Sequence, residues 1–223
     1  TGLFVIWAGA NDYTEFFADP TVSAGRSPAD IPQEATDNII GSIVNLAQLG
    51  AKNILVPNLP PIGLLPFADI LDAALPQQDI PTLLSHLSAA HNQLLAAKLD
   101  GVEAQFNDVN LIELDIDGLV AEIIANPTAF GFSNVETPCL TILQNGGFCN
   151  PDEFLFWDET HPTEATHSYV AELALTALDD RKASEPASTP EPGMAVATLM
   201  AFGLTGLWRR QRVSSVDVDK LVA

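Results

Sequence analysis

The feature that most constrains this chain is the alternation of short, unbroken apolar runs with stretches whose apolar residues recur at helical spacing. Leu3-Phe4-Val5-Ile6-Trp7, Asn53-Ile54-Leu55-Val56-Pro57 and the run from Val109 to Leu114 are too short for helices and rich in branched or aromatic residues. They read as strands, the first of them buried on both faces. Between them, Ile39, Ile40, Ile43, Val44 and Ala47 mark one face of a helix over about 35–49, which Gly50 stops. Leu83, Leu84, Leu87, Ala90, His91, Leu94, Leu95 and Leu99 form the stripe of a long second helix. Leu119, Val120, Ile123 and Ile124 mark a third, stopped by Asn126-Pro127, and a last one has Pro162 in its first turn and runs to about Leu178. The stretch from Asn58 to Pro66 closes the second strand as a loop. Strands separated by helices pair in parallel, so the chain is an α/β protein.

Charge narrows the partners. Nine Lys and Arg stand against 29 Asp and Glu, a net charge of -20. Such a surface repels phosphate backbones, which excludes nucleic acid as a partner. Near Asp179 the composition changes. Residues 1–180 read as one folded domain, and 181–192 as a linker rich in Pro and Ser. Residues 193–212 are an apolar segment ending in Arg209-Arg210-Gln211-Arg212, and 213–223 a polar tail. Thr1 is not Met, and no basic leader is present, so the chain reads as starting in mid-domain.

Cys139 and Cys149 lie ten positions apart around Gln144-Asn145-Gly146-Gly147. Two reduced, buried thiols are one reading. A loop so rich in Gly and Asn favours the other, a short disulfide formed in an oxidising compartment.

Two motifs carry chemistry. Gly9-Ala10-Asn11-Asp12 follows the first strand, and ligands of parallel sheets bind beyond the carboxyl ends of the strands. Asp158-Glu159-Thr160-His161-Pro162-Thr163 precedes the last helix. Asp158, three residues before His161, can fold back within one turn and hold one ring nitrogen while the other serves as a base. Asn11 offers an amide to a developing oxyanion. His86, His91 and His167 read as structural, Trp157 as packing beneath the turn, Asp12 as a turn residue, and Asp115 and Asp117 as solvated. No metal site and no cofactor are expected.

These motifs resemble those of the GDSL/SGNH hydrolases. Gly9–Asp12 is similar to the family's third conserved block, and Phe154–Thr163 to its fifth. Asn58–Pro66, His91-Asn92 with Leu94 and Leu95, and Asn126–Phe132 agree with the segments between. The resemblance implies a three-layer α/β/α, flavodoxin-like fold with a parallel sheet. Its sheet order of 2-1-3-4-5 leaves Leu3–Trp7 at an aromatic-rich edge, beside a missing first strand. It also implies a serine carboxylester hydrolase acting on esters of lipids or acylated carbohydrates, with His161 as general base, Asp158 as its orienter and Asn11 in the oxyanion hole. The family's nucleophile lies in a Gly-Asp-Ser motif, and no serine here has that context: Ser42 is mid-helix, and Ser184 and Ser188 lie in the linker. The fragment alone is therefore expected to be inactive. The rival expectation is an exported, non-catalytic protein that binds carbohydrate on the same fold.

Pro190-Glu191-Pro192, the apolar segment and the arginines resemble a PEP-CTERM sorting signal. That implies export, transient anchoring in the inner membrane with the arginines inside, and cleavage by an exosortase-like enzyme. A plain C-terminal anchor is the alternative.

Overall fold

The computed structural model describes residues 2–184. Strands β1 (Leu3–Val5), β2 (Asn53–Pro57) and β3 (Asn110–Leu114) form a parallel sheet in the order β1-β2-β3. Val5 lies opposite Leu55, and Leu55 opposite Ile112. Alternate side chains leave β2 in opposite directions, and that periodicity builds the layers. Ile54 and Val56 join Leu111 in a cluster with Ile39 and Ile43 of helix α3 (Ile31–Gln48) and Leu95 and Leu99 of α5 (Ile80–Gln105). On the other face, Leu55 and Ile112 pack with Ile116 and Val120 of α6 (Ile116–Ala125) and with Val170 and Leu173 of α8 (Glu164–Ser184). The expected three-layer α/β/α fold is therefore present.

Three expectations need correction. The first strand is not buried on both faces: Leu3, Phe4 and Val5 are all exposed, Val5 by 59%. Among the described residues β1 pairs with β2 alone, so its outer edge and both faces lack the cover that an apolar run by itself implies. Pro162 does not open the last helix. It forms an isolated antiparallel bridge with Phe156, and α8 starts at Glu164. The Thr163 hydroxyl stands in the capping place, accepting from the Thr166 N–H at 3.4 Å and donating to the Phe154 carbonyl at 2.7 Å. Finally, α8 continues to Ser184, past the expected end near Leu178 and into the stretch read as linker, since no helix breaker precedes Pro186. The remaining linker, the apolar segment and the tail lie outside the described residues.

Some helices were hidden in the sequence. Helix α1 (Ala10–Ala18) begins where Gly9-Ala10-Asn11-Asp12 reads as a turn. Gly9 has φ +113°, a left-handed conformation that an L side chain rarely adopts, and the chain turns there straight into the helix. Tyr13 and Phe16 of α1 are buried in a third cluster with Leu59, Ile62, Leu84 and Leu155, beyond the carboxyl ends of the strands. After α2 (Pro20–Ser23), a further short helix, α4 (Pro66–Ala74), has Pro66 in its first turn, at the end of the stretch read as a loop. The predicted Gly50 stop holds, with φ +94°. Near the end of the domain, α7 (Cys139–Gln144) carries one partner of a disulfide, Cys139–Cys149, with a Cα–Cα distance of 5.5 Å.

Candidate active site

The residues 158–163 form a turn held by one carboxylate. Asp158 Oδ1 accepts the backbone N–H groups of Thr160 at 2.9 Å and His161 at 2.7 Å. The ring Nδ1 of His161 lies 2.9 Å from both oxygens of the same carboxylate. The Trp157 N–H donates to the His161 carbonyl at 2.8 Å and closes the turn from the other side. Partial burial of Asp158 favours its neutral form, but the hydrogen bonds from Thr160 and His161 outweigh it and hold the carboxyl below its ordinary range. Asp158 therefore carries its charge at neutral pH and keeps the imidazole in one orientation. The His161 side chain is 71% exposed, so the ring edge away from Asp158 faces solvent.

Neighbouring elements anchor this turn. The Phe67 N–H of α4 donates to the Glu159 carbonyl at 2.9 Å. Cys139 and Leu140 of α7 donate their N–H groups to Phe156 and Trp157 at 3.0 and 2.9 Å, so the disulfide braces the strand-like run into Asp158.

His161 and Asn11 line one cavity of about 490 Å³. Asn11 arrives in the first turn of α1, and His161 from the turn before α8; the two motifs, 150 positions apart in sequence, meet at the carboxyl end of the sheet. The wall between them is apolar, with Trp7, Leu59, Ile62, Ile116 and Leu155. A cavity of this size, mostly apolar and with a few polar groups at one place, suits a small or extended organic ligand. Asp12 also lines it, and burial, the largest influence, raises its carboxyl above the usual value.

No serine or cysteine lines the cavity among the described residues. Its hydroxyls are those of Thr14, Thr160 and Thr166, each engaged with its own local structure. Thr14 donates to the Asn11 carbonyl at 3.3 Å and Thr166 to the Leu155 carbonyl at 2.9 Å, while Thr160 sits on the Asp158 side of the ring. Sequence reasoning missed one lining residue of interest. His167, read as structural, faces the cavity, and its spacing from His161 carries no signal until the direction of α8 is known. Asp115 and Asp117 also differ from a merely solvated pair. Asp115 caps α6 by accepting from the Gly118 N–H at 3.0 Å, and the Asn58 side chain ties both residues to the end of β2.

The profile described as GDSL-like Lipase/Acylhydrolase matches residues 1–174. The chain belongs to this family. Among curated proteins, this family member is 30% identical to the GDSL esterase/lipase EXL2 of Arabidopsis thaliana over 181 residues, covering 76% of the chain and 48% of that protein. It is 27% identical to the GDSL esterase/lipase At5g22810 of the same plant over 186 residues, covering 78% and 51%. The chain thus spans about half the length of the curated relatives it matches. The esterase or lipase activity in their names agrees with a site whose centre is a carboxylate-held histidine.

Proposed function

We propose that this domain contributes the acid–base half of a serine carboxylester hydrolase acting on lipid or acylated-carbohydrate esters. The observation that carries the reading is the Asp158–His161 pair, 2.9 Å apart, opening onto a cavity that Asn11 shares. With Nδ1 committed to Asp158, Nε2 is the nitrogen left to take a proton from a serine hydroxyl as its oxygen attacks the ester carbonyl. The Asn11 amide donates to the oxyanion that forms on the carbonyl oxygen. Collapse of the tetrahedral species breaks the ester C–O bond, and His161 returns its proton to the leaving alcohol. Water, deprotonated by the same nitrogen, then releases the acid from the acyl-enzyme. The serine of this reading comes from sequence other than the described residues, since none of them that lines the cavity is a serine.

The test compares chain 1–223 with the product of its whole coding sequence. Chain 1–223 is expected to give no burst with a p-nitrophenyl ester. The whole product is expected to turn the ester over and to be labelled on serine by a fluorophosphonate. A burst from chain 1–223 removes the claim that the serine lies elsewhere. A whole product that binds acylated polysaccharide without turnover gives the site to the carbohydrate-binding reading.

The same proposal includes export. The Cys139–Cys149 disulfide supports an oxidising compartment. The sorting signal and its exosortase-like partner rest on 190–212, outside the described residues, and among the described residues no helix is long and apolar enough to cross a membrane. Mass spectrometry of the mature protein from its own cell tests this. A C-terminus near Pro190-Glu191-Pro192 is expected, and an intact Ala223 on the secreted protein overturns it.

A further inference from the structure

His91 takes no part in the chemistry proposed above, yet it lies directly beneath the turn that delivers Asn11. It sits in the middle of α5 and is fully buried. A Cβ on Gly9 would meet the His91 ring at 2.9 Å from Cε1 and 3.5 Å from Nε2. The other side of the ring reaches α1, where Nδ1 lies 3.1 Å from the hydroxyl of buried Tyr13. Tyr13 is two residues beyond Asn11 and Gly9 two before it, so one imidazole lies close to the chain on both sides of that residue. Its Nε2 has no hydrogen-bond partner among the described residues. A phenylalanine would fill the space without burying an unpaired nitrogen, so packing alone does not account for an imidazole here.

The next residue does matching work on the neighbouring strand end. Asn92 donates from Nδ2 to the Leu59 carbonyl and accepts the Leu59 N–H at Oδ1, both at 2.9 Å. Leu59 and Gly9 both line the cavity. Two successive residues of α5 thus hold the loops that follow β1 and β2, one through a backbone clasp and one through a side-chain bond and a close contact.

We propose that His91 is a positioning residue: through Tyr13 and Gly9 it sets the first turn of α1 so that the Asn11 amide faces the place where the oxyanion develops. The assignment rests on the ester-hydrolase reading of the site. Burial drives the ring's pKa down to about 4, with Lys98 adding to the shift, so the imidazole stays neutral and its bond to Tyr13 does not change across the working range. An oxyanion donor acts in the transition state, so its displacement lowers kcat and leaves KM.

The test uses Tyr13→Phe, Asn11→Ala and their combination in the product of the whole coding sequence, with His91→Phe as a second break of the same bond. Tyr13→Phe and His91→Phe are each expected to lower kcat about ten- to a hundredfold with KM within about twofold. In the Asn11→Ala background, Tyr13→Phe is expected to cost nothing further, because the pair acts through that amide. Unchanged kcat, or losses that multiply with Asn11→Ala, overturn the proposal. Nitrogen-edited NMR of chain 1–223 reads the same claim without turnover. Tyr13→Phe is expected to shift the Asn11 side-chain amide and to speed hydrogen exchange at residues 9–11, while unaltered resonances overturn it. If the unsubstituted protein hydrolyses no ester, the hydrolase reading fails, and the NMR arm alone decides whether His91 positions Asn11.

Discussion

His161 and His91 place the same side chain in opposite surroundings. His161 is 71% exposed, bonded through Nδ1 to a charged carboxylate three residues away, within a turn whose own N–H groups help to hold that carboxylate. His91 is fully buried, bonded through Nδ1 to a tyrosine 78 positions away, among apolar side chains that keep it neutral. The first arrangement is made within one turn of chain. The second exists only when α1 and α5 are packed. One ring is free to exchange a proton with a substrate, and the other is fixed so that its neighbours stay in place.

The sharpest way to break this contrast is through activity. In the product of the whole coding sequence, His161→Ala is expected to cut kcat by about 10⁴-fold or more, with folding stability changed by less than about 0.5 kcal/mol because the ring is exposed. Steady-state kinetics beside a urea titration checks both. A similar loss from His91→Phe would erase the distinction between an acting and a positioning histidine.

Acid unfolding sharpens it next. His91 has a folded pKa of about 4 against an ordinary value near 6.5, so the unfolded chain takes up a proton first. The stability it contributes is full above about pH 6.5 and falls as the pH drops towards 4, by up to about 3 kcal/mol. His91→Phe is expected to remove that slope in urea titrations at stepped pH. Asp158 is depressed in the same direction by a different cause, the hydrogen bonds to its charged form. Its contribution is present above about pH 4 and is lost as the pH falls through its lowered folded value, so Asp158→Asn flattens only the most acid limb.

Reducing the disulfide is expected to cost about 2 to 3 kcal/mol, from the loop it closes in the unfolded chain. Because α7 bonds to Phe156 and Trp157, hydrogen exchange should rise around 156–161 and not around Gly9. Equal loosening at both histidines would show that the two regions are one cooperative unit. The smallest effect, about 1 to 2 kcal/mol, is expected for Thr163→Val, which keeps the volume and loses the bond to the Phe154 carbonyl. Calorimetry checks it.

Much of the fold was legible because periodicity is a local property. The runs at Asn53–Pro57 and Val109–Leu114 became β2 and β3, the long leucine stripe became α5, and Gly50 ended α3. The Asp158–His161 spacing was legible for the same reason, since a carboxylate three residues before a ring can reach it within one turn. Helices α1 and α4 were not legible. They are short, and the glycine, asparagine and prolines at their starts are also turn residues, so local preference is balanced and burial of Tyr13, Phe16 and Ala68 decides. β1 failed in the other direction: its apolar run is what a covered strand has, but cover is a property of neighbouring layers and not of the run.

What the sequence by itself determined is therefore the alternation of strands and helices, the parallel sheet that follows from it, and a carboxylate–imidazole pair made within four residues. What only the tertiary structure decided is that Asn11 shares a cavity with His161, that His167 faces it, and that His91 reaches back to Tyr13 beneath Gly9. The physical reason is range. Hydrogen bonds and side-chain periods act over a turn or two of chain, whereas the distance between residues far apart in sequence is set by how the apolar faces of whole helices close against the sheet.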